Sequence, residues 1–237
     1  MKKRLNKKGS GFWKLVWRVT KLALMLFIGL SLFFVILYRF VNPPITWLMI
    51  SRGFERKSDG KEWKIDKHWV KFNEIAEPMK RAAVAAEDAK FLDHYGFDFA
   101  AMEKAIDKNA HSHKLIGGST ISQQTAKNVF LWPGRSYVRK AFEAWFTMLI
   151  EVVWSKKRIM EVYLNVIEMG DGVYGIEAAS QYYYHKPASQ LTKRQSAAIA
   201  SIFPDPLKWS PTRPSYRVAH KQRLILKNMR RLGPLDF

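Results

Sequence analysis

The sequence predicts an all-α domain carried behind one N-terminal transmembrane helix. Three observations predict it. Residues 22–38 run 17 positions without a charge, close to the roughly 20 apolar residues that span a bilayer core. The remaining chain breaks into helix-length segments bounded by cap and turn residues, with no alternating strand pattern. The composition is 48% hydrophobic and 14% aromatic with nine Trp, enough for a packed core rather than a disordered chain. Absence of Cys excludes disulfides, thiolate metal sites and a Cys nucleophile.

The formal charge is +20. Lys2, Lys3, Arg4, Lys7, Lys8, Lys14, Arg18 and Lys21 precede the first acid, Glu55, and removing those eight still leaves +12. A basic body suits a polyanion or an anionic membrane surface. No nucleic-acid motif accompanies it, so no nucleic-acid partner is expected.

Residues 1–21 read as a basic cytoplasmic tail and 22–41 as the membrane helix, kept inside-to-outside by the positive-inside rule. Trp13, Trp17 and Trp47 stand where interfacial aromatics belong. A cleavable signal peptide is the rival reading, but Tyr38, Arg39, Phe40 and Val41 offer no small-residue cleavage site. Pro43 and Pro44 stop the helix, and residues 42–69 read as a juxtamembrane linker, leaving 70–237 as the folded domain. In that domain Pro78 opens a helix through KRAAVAAEDAKF. Asp98 caps a second, with Phe99, Met102 and Ile106 at helical spacing. Gly117, Gly118 and Ser119 precede a third that ends near Phe130. Ser136 caps a fourth, residues 137–154, and Ser155 a fifth that Gly170 closes. Thr192 with Gln195 forms a capping box. Ser215 opens a last basic helix ended by Gly233.

Three constellations carry chemistry. Glu87 and Asp88 end an alanine-rich helix near His94, where slim neighbours let a carboxylate face a cleft; a solvated surface pair is the plainer alternative. In GGSTISQQTAKN, two glycines lead into a helix start whose free N–H groups suit an anion or sugar oxygen. Gln123 and Gln124 offer amide donors and acceptors there; a capped surface helix is the alternative. Arg139, Lys140 and Glu143 share one helical face, on a helix apolar enough to be buried all round. A buried Glu143 must be paired with such a cation or else protonated; a purely structural buried ion pair is the alternative. Two carboxylates in a basic, hydroxyl-binding setting are the equipment of glycosyl chemistry, and the extra cations point to an anionic leaving group.

These residues closely resemble glycosyltransferase family 51, the peptidoglycan glycosyltransferases. EDAKFLDHYG (87–96), GGSTISQQ (117–124), RKAFE (139–143) and KKRIMEVYLN (156–165) are similar to the family's four ordered motifs, with Met160 where Leu is usual. The resemblance covers roughly residues 60–230 and is to the family's single-domain members, without a transpeptidase domain. It implies a lysozyme-like, bilobal helical fold and lipid II as substrate. Glu87 is then the general base on the acceptor's 4-hydroxyl. Lys127, Arg135, Arg139 and Lys140 neutralise the departing polyprenyl diphosphate, and Glu143 holds these cations. Asp88, Ser119, Thr120, Gln123 and Gln124 stand as substrate contacts, while Glu161, Tyr163 and Asn165 shape the cleft. The resemblance leaves room for a divalent cation, Mg or Mn, beside Glu143, and implies no organic cofactor. Its expected partners are lipid II, the nascent glycan, the membrane, and cell-wall synthesis or division proteins. The expected location is the inner membrane, with the N-terminus cytoplasmic and the domain outside.

Residues 109–132 mix Leu115, Ile116, Phe130 and Leu131 with His and Lys, and read equally as an interfacial segment or a mobile loop. Two rivals remain at this stage. A lytic transglycosylase or muramidase lacks a need for the cation set around Glu143. A non-catalytic scaffold for division proteins has no need to keep both base and cations.

Overall fold

A computed structural model describes residues 8–110 and 117–237. The first seven residues of the basic tail, and residues 111–116 of the segment with two readings, lie outside the described residues. The fold is mostly helical. Helix α1 (Lys8–Phe40) includes a 30-residue apolar stretch, Gly11–Phe40, long enough to cross a membrane. It starts well before residue 22, because the segment ahead of that residue has no Pro and its two glycines, Gly9 and Gly11, fall in the first turn. At 1.5 Å per residue it is roughly 50 Å long, more than a hydrocarbon core requires. Its far end is fastened to the domain. Trp154 Nε1 donates to the Val35 carbonyl at 2.7 Å, and the Arg158 guanidinium donates to the carbonyls of Tyr38 (2.9 Å) and Val41 (3.0 Å). Pro43 and Pro44 lie in the break that follows.

Residues 42–69, read as linker, contain structure. Thr46 caps helix α2 (Trp47–Ser58) by accepting from Met49 N. Met49 is fully buried, and a Cβ on Gly53 would come within 2.6 Å of the Trp63 ring, so α2 is held by tertiary packing. Strand β1 (Asp66–Lys67) follows, parallel to β3 (Val173–Tyr174), which pairs antiparallel with β2 (Glu168–Gly170). This three-stranded patch departs from a purely helical reading. Strands of two or three residues are too short to display alternation in a sequence.

The domain packs as two helical groups. Helix α3 (Glu77–Glu87) lies against α9 (Lys193–Ser201) and α10 (Tyr216–Arg231), while α5 (Ile121–Phe130) lies against α6 (Tyr137–Val153) and α7 (Lys156–Val166). The caps expected at Asp98, Ser136, Ser155, Thr192 and Ser215 are all made. Other boundaries moved. Helix α3 stops at Glu87 instead of running to Phe91, because Asp88 turns extended and spends its carboxylate elsewhere. The cap of α5 is Thr120, one residue after Ser119. Helix α7 ends at Val166, since residues up to Gly170 join the sheet.

Two faces also differ. On α4 (Phe99–Ala110), Phe99 and Ile106 are exposed and Ala105 is the buried residue, facing Gly118, where only a small side chain fits. Helix α6 is not buried all round: Val152 is 85% exposed and Met148 49%, while Phe142 and Trp145 meet Phe27 of α1. Helix α8 (Ile176–Tyr184) has no cap side chain to announce it. Its N-cap, Gly175, has φ of +79°, and a Cβ there would lie 2.6 Å from the Asn165 carbonyl oxygen.

Asn165 ties α7 to the segment at Val70 that opens the domain. Fully buried, it accepts from Val70 N (2.9 Å) and donates to the carbonyls of Val70 (2.9 Å) and Glu161 (2.8 Å). Asn165→Ala leaves these groups unpaired and is expected to cost about 2–4 kcal/mol. Thermal melts in detergent should show a fall of roughly 5–15 °C.

Candidate active site

The site is organised by the start of α5. The Asp88 carboxylate is nearly inaccessible and makes three contacts with two partners. Both its oxygens lie 3.0 Å from His94 Nε2, and Oδ2 also accepts from Ile121 N at 3.0 Å. A carboxylate at that position complements the helix dipole. Thr120 Oγ1 donates to the Gly96 carbonyl (2.6 Å) and accepts from Gln123 N (3.2 Å), while Gln123 Oε1 accepts from Thr120 N (2.9 Å). Thr120 and Gln123 are each 2% exposed. Expected as substrate contacts, Asp88, Thr120 and Gln123 are used by the fold itself. The N–H groups expected to face a ligand include two, those of Ile121 and Gln123, that are already taken.

With α5 fixed this way, its Gln124 meets the first of the two acids. Gln124 Nε2 donates to Glu87 Oε2 at 2.9 Å, and Tyr163 donates its hydroxyl to Gln124 Oε1 at 3.2 Å. Glu87 Oε1 lies 3.6 Å from Lys221 Nζ on α10. Burial pushes the Tyr163 hydroxyl well above its ordinary pKa, assisted by the negative charges of Glu87 and Asp88. Burial lowers the Lys221 ammonium, and Glu87 opposes that fall.

One α6 turn holds the second acid. Glu143 is 3% exposed; Oε2 accepts from Arg139 Nη1 at 2.9 Å and Oε1 from Lys140. Lys140 is the more exposed cation and stands 3.5 Å from Ser119 Oγ. Lys127, one turn beyond Gln124, lines the adjacent cavity. Burial lowers its pKa, Glu143 and Glu87 raise it, and Arg139 and Lys140 lower it again. Thus the charged groups that the sequence singled out around Glu143 and Glu87 converge on Lys127.

Beside this cluster is a cavity of about 400 Å³. Gln124, Lys127, Arg135 and Arg139 line it, together with Arg52 and Glu168. Glu87, Glu143 and Lys140 are not on its wall, but Glu87 is bonded to the wall residue Gln124 and Glu143 to the wall residue Arg139. Arg52, Glu168 and Lys221 were not anticipated. Arg52 lay in a presumed linker, and nothing in sequence spacing joins Glu168 to α2 or α10 to α3.

A divalent ion fits poorly beside Glu143, because both its oxygens already accept from cations. Among the described residues no group of three or more His, Asp or Glu side chains is arranged to hold a metal.

Lys127 supplies a test of this electrostatic picture. Its ammonium is disfavoured in the folded state, so the unfolded chain binds that proton more tightly. The destabilisation is fully present below the folded pKa and is relieved as pH rises toward about 10.4, the unfolded value. Lys127→Met is therefore expected to raise Tm at neutral pH and to remove this part of the rise in stability with pH. Thermal melts from pH 7 to 10 measure both effects.

The family model described as Transglycosylase matches residues 57–230. A biosynthetic peptidoglycan transglycosylase of Caulobacter vibrioides is 54% identical over 193 residues, covering 81% of this chain and 82% of that protein. Proteins of the same name from Bdellovibrio bacteriovorus and Stutzerimonas stutzeri are 48% and 46% identical, each match covering 92% of this chain and 87% and 90% of theirs. The family model takes in α3, the whole α5–α6–α7 group and nearly all of α10, and so every charged residue of the site just described except Arg52. On that match the chain belongs to the transglycosylase family.

Proposed function

We propose that this enzyme polymerises lipid II into β-1,4-linked glycan strands, releasing polyprenyl diphosphate with inversion at the donor's anomeric carbon. The observation that carries the reading is geometric: Lys127, Arg135 and Arg139 line one cavity, Glu143 pairs with Arg139 and Lys140, and Glu87 is bonded to the wall residue Gln124. An acid able to take a proton and a set of cations able to receive a diphosphate thereby meet at one cavity.

In this reading Glu87 takes the proton from the acceptor's 4-hydroxyl as that oxygen attacks the anomeric carbon. Gln124 and Lys221 hold its two oxygens, which limits its rotation. Bond cleavage leaves negative charge on the diphosphate, which Lys127, Arg135, Arg139 and Lys140 receive. Charges fixed before the reaction stabilise that change without reorganising. Glu143 keeps Arg139 and Lys140 from repelling one another out of place. The protons, electrons and charge of the step are all carried by these side chains and the substrate.

The apolar helix α1 is consistent with a single-pass anchor. We place its basic start in the cytoplasm and the domain on the outer face of the inner membrane, where a substrate with its tail in the bilayer stays within reach. Lipid II, the growing glycan and the membrane are the partners this reaction needs, and cell-wall synthesis or division proteins are the protein partners it proposes.

Glu87→Gln is expected to melt like the parent and to lose about 10²–10⁴-fold in lipid II polymerisation, the range typical of a general base. Turnover at the parental rate removes Glu87 from that role. Lys140→Ala should depress turnover and weaken a diphosphate-containing inhibitor together, measured by inhibition and direct binding; loss of neither excludes it from the leaving-group site. Incubation of the parent with polymeric peptidoglycan and with lipid II separates synthesis from lysis, since only lipid II should be consumed.

A further inference from the structure

Helix α1 ends beside a small hollow that the reaction just described does not use. On α1, Phe33, Ile36, Leu37, Phe40 and Val41 share one face at i, i+3, i+4, i+7 and i+8, and line an apolar groove of about 280 Å³. The next residue, Asn42, belongs to a hollow of about 290 Å³ that Ile45, Ile65, Lys67 and Trp69 also line. None of these residues lines the cavity beside Lys127. Lys67 gives the hollow its charge. Its Nζ donates to the carbonyls of Pro43 and, at 3.0 Å, Pro44, which uses two of its three N–H groups. Burial lowers its pKa to about 8, and no acid pushes it back. Asp66, its neighbour in sequence, pairs with His68. Arg158, which shares the Trp69 ring with Lys67, has Glu161 as its counter-ion. The Asn42 Oδ1 accepts from Arg158 Nη1 at 3.0 Å, which leaves its amide N–H groups to donate.

The chemistry narrows what the hollow could take. Its polar groups are donors, and a half-buried ammonium without a carboxylate is completed by an anion. One ammonium matches a singly charged phosphodiester. A diphosphate carries more charge and is better served by Lys127, Arg135 and Arg139 in the other cavity. The apolar groove stops at Val41 and the hollow starts at Asn42, so room for a hydrocarbon chain is followed directly by room for an anion. Phospholipid phosphates lie at the edge of the hydrocarbon core, the level at which a membrane helix ends.

We propose that Lys67 and Asn42 bind the phosphodiester of one anionic phospholipid whose acyl chain lies along the Phe33, Ile36, Leu37, Phe40 and Val41 face of α1. This rests on α1 being the membrane anchor. Lys67 stands on β1, which pairs with β3, so a lipid held there ties the sheet as well as the end of α1 to the headgroup layer.

The test titrates the full chain, in a neutral detergent, with phosphatidylglycerol and with phosphatidylcholine of the same acyl chains, and counts bound lipid by native mass spectrometry. The anionic lipid is expected to bind about 5- to 10-fold more tightly than the zwitterionic one. Lys67→Gln should bring the two within about twofold, and Lys67→Arg should keep the preference. Ile45 lines the same hollow and is 43% exposed. Ile45→Glu leaves the carbonyl partners of Lys67 in place, should abolish the preference, and carries the test should Lys67→Gln fail to fold. Equal affinity of the parent for the two lipids overturns the proposal, as does a preference that the folded variants Lys67→Gln and Ile45→Glu retain. Inorganic phosphate that displaces phosphatidylglycerol at equal concentration makes this an anion site without a lipid and overturns it. Displacement by polyprenyl diphosphate at equal concentration makes it part of substrate binding and overturns it too. Flotation with vesicles separates the two readings: a parent that floats with neither lipid defeats the anchor and this inference with it, and one that floats without a preference in the titration defeats this inference alone.

Discussion

The position of α5 governs the site, and a single buried carboxylate sets that position. Asp88 receives His94 Nε2 and the first N–H of α5 at the same time, and Thr120 locks the same helix start to the Gly96 carbonyl. Those bonds are short-range and directional, so they fix both the axis and the rotation of the helix. Rotation matters because Gln124 and Lys127 fall one turn apart on one face. With α5 held, Gln124 reaches Glu87 and Lys127 sits among Arg139, Lys140 and Glu143. Asp88 is thus a positioning residue for its neighbour in sequence, which explains why adjacent acids have unlike surroundings.

The charges are arranged at a cost to the fold. Lys127 and Lys221 are both depressed by burial, and Glu143 is nearly sealed beneath two cations. Ion pairs inside proteins seldom stabilise relative to apolar packing. Stability has to come from elsewhere, and the sealed core around Tyr163, Met169, Tyr174 and Ile176 is where it comes from. A cluster kept despite its energetic cost, next to a cavity, is characteristic of a working site.

Anchor and chemistry are mechanically continuous. Helix α1 is bonded through its last turns to Trp154 and Arg158, and Arg158 also bonds Glu161, which accepts from Phe72 N. Two residues past Thr46, α2 begins to line the cavity with Leu48 and Arg52. The cavity wall therefore starts a few residues beyond the long apolar helix, which suits the lipid-linked substrate proposed above.

Much was legible in the sequence because it is local. Caps at Asp98, Ser136, Ser155, Thr192 and Ser215 act within three residues, and the Arg139, Lys140 and Glu143 grouping follows from one helical turn. The apolar run of α1 is likewise a property of composition. What the tertiary structure decided needed partners far away in the chain. Asp88 could be known as a helix stop only once Ile121 was beside it, and Thr120 and Gln123 as internal caps only once buried. Helix α2 and the short strands form because neighbours cover them, and Lys221 and Glu168 gain meaning only from Glu87 and Arg52 across the fold. Backbone propensity and side-chain caps are written in neighbouring residues; burial and electrostatic coupling are written in distance, which sequence order does not encode.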